Sequence, residues 1–390
     1  MASATEPDES TDAAAERRPR LTPPIADVRR AVRAVLPAAP SPAGASVSAG
    51  FGEPARHAGS PSSEAGVSQE SPNPADSANA PLVLVALSGG ADSLALAAAT
   101  AFEAPRAGLR AGAVIVDHGL QAGSDEVAER AAAQARALGL DPVLVQRVEV
   151  AGEGGPEASA RRARYAALDE AARATDAACV LLGHTLDDQA ETVLLGLARG
   201  SGAASLAGMP ARAGRYARPL LGIRRATTRQ ACEDAGLEPW DDPHNADSAY
   251  ARVRVRERVL PVLEAELGPG IAEALVRTAE QLREDDDAFE AQIEEFIEEI
   301  CEPAEAGIAI TVGALSANPA ALRQRIIRHV VGSEFGVSLS RAQTLEVARL
   351  VTDWHGQGPL ELPAGVRVTR SGRHLVFSTT GSTEVLPHDH

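Results

Sequence analysis

From Pro81 onward the chain alternates short apolar runs with longer amphipathic stretches. The runs Leu82–Leu87, Ala113–Asp117, Val143–Val148 and Cys179–Leu182 predict buried parallel strands. The stretches 93–103, 124–138 and 157–174 predict helices between them. Strands alternating with helices of this length imply an α/β fold built on a doubly wound parallel sheet. Ligands bind such sheets at the carboxyl ends of the strands, near the reversal of strand order. Three motifs fall at those ends: Ser88–Ser93, Asp117-His118-Gly119 and Gly183-His184-Thr185.

The pattern changes on either side. Residues 24–37 place Ile25, Val28, Val32, Val35 and Leu36 at helical spacing, with Arg29, Arg30 and Arg33 on the other side. Residues 1–22 and 38–80 are polar and Pro-rich without periodicity, and predict a flexible extension and linker. Residues 220–265 read as a polar connector. The chain then turns helical from Pro261 to about 301. Helices near 319–331 and 340–353 and strands at Gly365–Thr369 and His374–Phe377 predict a smaller α+β unit. The expected division is an N-terminal extension at 1–80, a sheet domain at 81–230, a connector at 231–265 and a smaller domain at 266–390.

Composition narrows the class. No apolar run approaches the ~20 residues needed to span a bilayer. The acidic N-terminus has no apolar signal segment. The three cysteines, Cys179, Cys232 and Cys301, form no C-x-x-C, which argues against a disulfide framework or a structural zinc. The chain reads as soluble and cytoplasmic. A net charge of −17 argues against a generic nucleic-acid binder. Arginines nevertheless cluster at 212–229 and 252–258, a locally basic face able to hold RNA.

The motifs carry the chemistry. Ser88-Gly-Gly-Ala-Asp-Ser93 sits between a predicted strand and a predicted helix. Its two glycines, Gly89 and Gly90, let backbone N–H groups face an anion, and the following helix start favours negative charge. It is not a Walker loop, which needs lysine; all 37 cationic side chains of this chain are arginine. The stretch Gly183-His184-Thr185-Leu186-Asp187-Asp188-Gln189-Ala190-Glu191-Thr192 predicts a helix capped by Thr185. Ala190, Val193, Leu194 and Leu197 form its apolar stripe, and Asp187, Asp188 and Glu191 project in one arc beside it. Three carboxylates at a helix start suit Mg²⁺ or an ammonium group. Arg161 and Tyr165 share a helix face with Glu157, and Arg164 lies beside them; an arginine here can clamp phosphate. Gly119 beside Asp117 and His118 allows a close approach to a ligand such as adenine.

The Ser-Gly-Gly-x-Asp-Ser pattern resembles the PP-loop of the ATP pyrophosphatases, which cleave ATP between the α and β phosphates. A longer resemblance runs from about 81 to 265. It comprises Ser88–Ser93, Val116–Leu120, Glu157…Arg161…Arg164-Tyr165, Gly183–Leu195, Gly200-Ser201-Gly202…Gly208-Met209, Arg218-Pro219-Leu220-Leu221 and His244-Asn245-Ala246-Asp247…Arg252-Val253-Arg254-Val255-Arg256…Leu260-Pro261. In this order the segments are similar to those of the tRNA(Ile)-lysidine synthases. Members of that family often have asparagine where Val253 stands.

The resemblance implies a PP-loop domain followed by a tRNA-contacting domain. It implies ATP-dependent joining of free L-lysine to C2 of the wobble cytidine in the CAU anticodon of tRNA(Ile). An adenylated cytidine is the intermediate, and AMP and pyrophosphate are released. ATP and Mg²⁺ are the expected cofactors. Ser88, Gly89, Gly90, Ala91, Asp92, Ser93, Asp117 and His118 are expected to bind ATP, and Asp92 and Asp188 the metal. Asp188 and Glu191 are expected to receive lysine, with Glu191 or His184 taking the amine proton. Arg161 or Arg164 would stabilise the leaving pyrophosphate. Arg218, Arg252, Arg254 and Arg256 would contact tRNA, with Tyr250 or Trp240 stacking on bases. Other readings are a thiolase-like PP-loop enzyme, disfavoured by the missing C-x-x-C, and a non-catalytic nucleotide- or RNA-binding protein. The sequence leaves the oligomeric state open, a homodimer included.

Overall fold

The computed structural model describes residues 21–37, 80–119, 123–149, 156–200, 202–242, 247–304 and 307–379. Of the extension and linker expected at 1–22 and 38–80, residues 1–20 and 38–79 lie outside the described residues, as do the quoted Leu120, Ser201 and His244-Asn245-Ala246. The chain divides into two compact units, Met1–Ala279 and Glu280–His390.

The first unit is built on a six-stranded sheet: β1 (Leu82–Ala86), β2 (Arg110–Asp117), β3 (Val143–Arg147), β4 (Ala177–Leu181), β5 (Arg212–Ala213) and β6 (Tyr216–Ala217), in the order β3-β2-β1-β4-β6-β5. All neighbours are parallel except the two-residue edge pair β5–β6. The chain runs outward from β1 to β3 and returns to place β4 on the other side of β1. The reversal of strand order therefore lies between β1 and β4, where ligands bind.

Strand β1 is buried on both faces, as a central parallel strand must be. Val83 and Val85 join one core with Leu94 and Leu96 of the helix Ala91–Arg106. Leu82 and Leu84 join the opposite core with Leu168 and Ala171 of the helix Pro156–Ala174. This period-two split fixes the register of the strand that leads into the glycine loop. The helix Pro23–Val35 adds Ile25, Val28 and Val32 to the first core, on the face its spacing predicts.

The segment read as a polar connector is partly core. The helix Arg225–Asp234 sinks Thr228, Ala231 and Cys232 while Arg225 and Arg229 flank them. A stripe of three small residues at i, i+3, i+4 is enough to dock a helix, and the surrounding arginines hide it in a hydropathy reading. Helical structure continues from Ala251 to Leu267, with a π turn at Val255–Val259.

The second unit is a five-stranded antiparallel sheet: β7 (Cys301–Ala304), β8 (Gly307–Thr311), β9 (Leu360–Glu361), β10 (Val366–Ser371) and β11 (His374–Thr379), in the order β7-β8-β11-β10-β9. Its core joins Ile310, Leu375 and Phe377 to Ile326, Ile327, Val330 and Val347 of the helices Ala320–Phe335 and Arg341–Thr352. Strands β7 and β8 depart from the expected pattern. The Glu-Pro within β7 reads as a breaker, but β7 is an edge strand, where proline is tolerated. Trp354 is part-exposed beside the guanidinium of Arg370, 5.2 Å from its ring. Among the described residues no helix is long and apolar enough to cross a membrane.

Candidate active site

The glycine loop connects β1 to the helix Ala91–Arg106 at the reversal of strand order. Gly89 has a φ of 84°, a conformation that costs other residues a steric penalty. The loop is braced from within: Ser93 Oγ donates to the Gly90 carbonyl at 3.0 Å, accepts from Ser88 N–H at 3.2 Å and lies 3.1 Å from Ser88 Oγ. It is braced from outside by Trp240, whose N–H donates to the Gly89 carbonyl at 2.9 Å. The loop after β4 packs directly on this helix start. A Cβ on Gly183 would stand 3.1 Å from Ser93 N and Cα, so only glycine fits without moving backbone. Two of the three motifs are thereby locked together.

The carboxylates of the helix Leu186–Ala198 come next. Asp188 turns back on its own cap, where Thr185 N–H and the Thr185 hydroxyl each donate to Oδ2 at 2.8 Å. Glu191, one turn on, has no exposed side-chain surface. Arg225 joins them to the phosphate loop. Its Nη2 donates to Asp188 Oδ1 at 2.8 Å and its Nη1 to Glu191 Oε1 at 3.2 Å, and its Nε lies 3.5 Å from Asp92 Oδ2. Its own N–H donates to Asp187 Oδ2 at 2.7 Å. Thr228 donates its hydroxyl to Asp92 Oδ1.

Burial pushes the Asp92 carboxyl above its usual range, more than the Thr228 hydroxyl and Arg225 pull it down. Burial also penalises Asp188, but Arg225 and the Thr185 donors outweigh it and hold the carboxyl below the usual range. Neighbouring carboxyls with opposite shifts suit different tasks. His184 is buried to a pKa of about 4, its burial and Arg164, Arg218 and Arg161 together outweighing Asp188. It is neutral at pH 7, and its buried Nδ1 has no hydrogen-bond partner among the described residues.

Most of these groups open on one cavity of about 800 Å³, with Glu191 held behind its wall by Arg225 and Arg256. Ser88, Gly90, Ala91, Asp92 and Ser93 form one wall, and His184, Asp187, Asp188 and Arg225 another. Arg164 and Trp240 border it as well. Arg161 is exposed and stacks on Tyr165, 5.0 Å from the ring centroid. Asp117 closes the turn after β2, accepting from Gly119 N–H at 3.0 Å with Arg147 at 3.9 Å; His118 is half-buried beside it. Neither Asp117 nor His118 lines the cavity.

Several arginines are placed differently from the sequence reading. Arg256 lies on Glu191, with Nε at 2.8 Å from Oε1 and Nη2 at 3.2 Å from Oε2. Arg252 approaches the same carboxylate at 3.9 Å and Thr192 Oγ1 at 3.4 Å. Arg218 is only 7% exposed and donates to the Pro210 carbonyl at 2.9 Å. Arg254 alone of the four is exposed, holding the carbonyls of Ser248 and Ala249. For Arg252 and Arg256 the cause is Glu191: a buried carboxylate must be compensated, and the nearby helical segment supplies guanidinium groups. Val253, between Arg252 and Arg254, is buried. The sequence missed Arg225 and Thr228 as site residues. Arg225 sits inside the arginine cluster assigned to phosphate, and nothing in its spacing separates it from its neighbours.

The comparisons agree with one another. The PP-loop domain family matches residues 65–263, and the family of the TilS substrate binding domain matches residues 311–376. A tRNA(Ile)-lysidine synthase of Leifsonia xyli subsp. xyli (strain CTCB07) is 68% identical over 297 residues, covering 76% of this chain and 89% of its own. That of Streptomyces coelicolor is 54% identical over 309 residues, covering 76% and 85%. That of Thermobifida fusca is 53% identical over 300 residues, covering 76% and 91%.

Proposed function

Because this chain belongs to the tRNA(Ile)-lysidine synthases, we propose a division of labour among the residues of its cavity for the reaction of that family. The enzyme uses ATP to join free L-lysine to the wobble cytidine of tRNA(Ile) with a CAU anticodon. The cytidine C2 oxygen attacks the α-phosphorus and pyrophosphate leaves. The lysine ε-amine then attacks C2, loses a proton, and AMP leaves.

The observation that carries the assignment is the single cavity shared by the phosphate loop and the carboxylate helix. Ser88–Ser93 present backbone N–H groups and hydroxyls to the phosphates, and Arg164 at the rim balances charge on the leaving pyrophosphate, with Arg161 nearby. Asp92 and Asp188 are assigned to the metal. Among the described residues no group of three or more His, Cys, Asp or Glu is arranged to hold an ion alone. Mg²⁺ needs only one or two carboxylates beside substrate phosphates, which this pair supplies. Mg²⁺ bound with ATP contributes positive charge beside the phosphates. Asp188 and Glu191 are assigned to the lysine amine. His184 and Glu191 stand as the two candidate proton acceptors, His184 lining the cavity and Glu191 lying beneath arginines. Asp117 and His118 are assigned to the adenine side of the site, from the family resemblance. Arg254 is the arginine of its group best exposed to meet tRNA phosphate, and the 266–390 region is assigned to further tRNA contact. We assign the reaction to the cytoplasm, where tRNA and free lysine meet.

The test separates the half-reactions. Radiolabelled lysine should enter a CAU-anticodon tRNA(Ile) transcript only when ATP is present. Asp188→Asn should raise the lysine concentration for half-maximal capture of preformed adenylated tRNA. An unchanged value sinks the amine assignment.

A further inference from the structure

The carboxylates assigned to lysine are not open. Arg225 spans three carboxylates of the site, reaching Asp188 Oδ1 at 2.8 Å, Glu191 Oε1 at 3.2 Å and Asp92 Oδ2 at 3.5 Å, while Asp187 on the same wall is paired with Arg224 at 3.3 Å. Arg256 and Arg252 complete the set on Glu191. Three carboxylates thus face three guanidinium groups. A fourth cation gains little by adding to a balanced cluster, but it gains fully by replacing one of the three. Arg225 is the one suited to leave. It and Arg256 border the cavity with nearly equal side-chain exposure, 20% and 22%, but Arg225 alone bridges Asp188 to Asp92 of the phosphate loop, where a substrate enters. Its backbone is pinned at the helix start by the N–H bond to Asp187, so the side chain alone has to move. Arg256 lies two-pronged on Glu191 and stays behind as its counter-ion.

We propose that Arg225 is the resident occupant of the amine pocket, and that free lysine binds by exchanging its ammonium for the Arg225 guanidinium on Asp188 and Glu191. The inference rests on the amine assignment made above. Exchange keeps the charge of the cluster constant, so the carboxylates are never left bare during the wait for substrate. It also weakens apparent lysine affinity by the fraction of time that Arg225 is withdrawn. Arg225 is then a specificity-determining and positioning residue.

The test is the lysine dependence of the second half-reaction, read by mixing preformed adenylated tRNA with lysine. With Arg225→Met the half-saturating lysine concentration should fall about fivefold or more, because the competing cation is gone. Methylguanidinium should then compete with lysine in the variant and raise that concentration again, at concentrations about fivefold lower than the unaltered enzyme needs. An unchanged or higher lysine requirement in Arg225→Met, or no competition by methylguanidinium, overturns the exchange. Arg225→Lys provides a second variant: its shorter, unforked ammonium should hold the pocket less well and give an intermediate value. Failure of both variants to form adenylated tRNA assigns Arg225 to the first half-reaction and also overturns the exchange. Asp188→Asn, run alongside, keeps the two readings apart. A raised lysine requirement there with no fall in Arg225→Met removes only the exchange. No change in Asp188→Asn removes the pocket itself.

Discussion

Replacing Glu191 with glutamine tests whether one buried charge organises the site. The side chain has no exposed surface and accepts from Arg256 through both oxygens and from Arg225 through one. Glutamine keeps the shape but turns one oxygen into an NH₂ group, a donor facing donors. Removing one partner of a buried ion pair typically costs about 3–5 kcal/mol, because the charges left behind lose their compensation. For a unit of this size, each kcal/mol lowers the melting temperature by roughly 2–4 °C, so a fall of about 6–20 °C is expected. Urea unfolding monitored by circular dichroism gives the same quantity at fixed temperature. The double variant Glu191→Gln/Arg256→Met should lose less than the sum of the single changes, with a coupling of about 0.5–3 kcal/mol. Wild-type stability in Glu191→Gln, or strict additivity in the cycle, refutes the view that Glu191 anchors the arginines.

Three further outcomes follow from the geometry. Asp92→Asn should reduce pyrophosphate release from ATP and tRNA by about a hundredfold or more, on the scale of losing one oriented electrostatic group; near-normal release would remove Asp92 from the phosphate site. His184, with a pKa lowered to about 4 from 6.5, binds its proton less readily folded than unfolded, so its contribution to stability is complete above about pH 6.5 and lost as pH falls toward 4. His184→Gln should therefore flatten the drop in urea midpoint between pH 7 and pH 5, and an equally steep drop would contradict the buried neutral ring. Arg254→Ala should reduce the salt slope of tRNA affinity by about one, with the urea midpoint unchanged; an unaltered slope would clear Arg254 of phosphate contact.

What was legible in the sequence was local. The strand-glycine-helix order of Ser88–Ser93 and the Thr185 cap with its carboxylates are written in adjacent residues, and the structure places both at the reversal of strand order. The apolar stripe of that helix was legible through Leu194 but not at Leu197, which is 51% exposed. What was not legible was pairing at a distance. Arg225 stands 37 residues from Asp188, and its neighbour Arg224 instead meets Asp187 and Glu273. Two adjacent arginines point to different partners because Arg224 is the extended N-cap residue and Arg225 the first residue of the helix. Composition shows that arginines are available and not which carboxylate each will reach. Likewise Thr228 gives no sign of serving Asp92 until the helix Arg225–Asp234 docks against the phosphate loop.

The chain contains two tryptophans, and they fall one to each compact unit. Trp240 is tied to the phosphate loop through Gly89, and Trp354 lies beside Arg370 in the smaller unit. Nature has thus installed a separate optical probe in each half. A phenylalanine at either position leaves an indole reporting on the other unit alone. Intrinsic fluorescence can then time events at the nucleotide loop independently of events in the second unit, with no label attached.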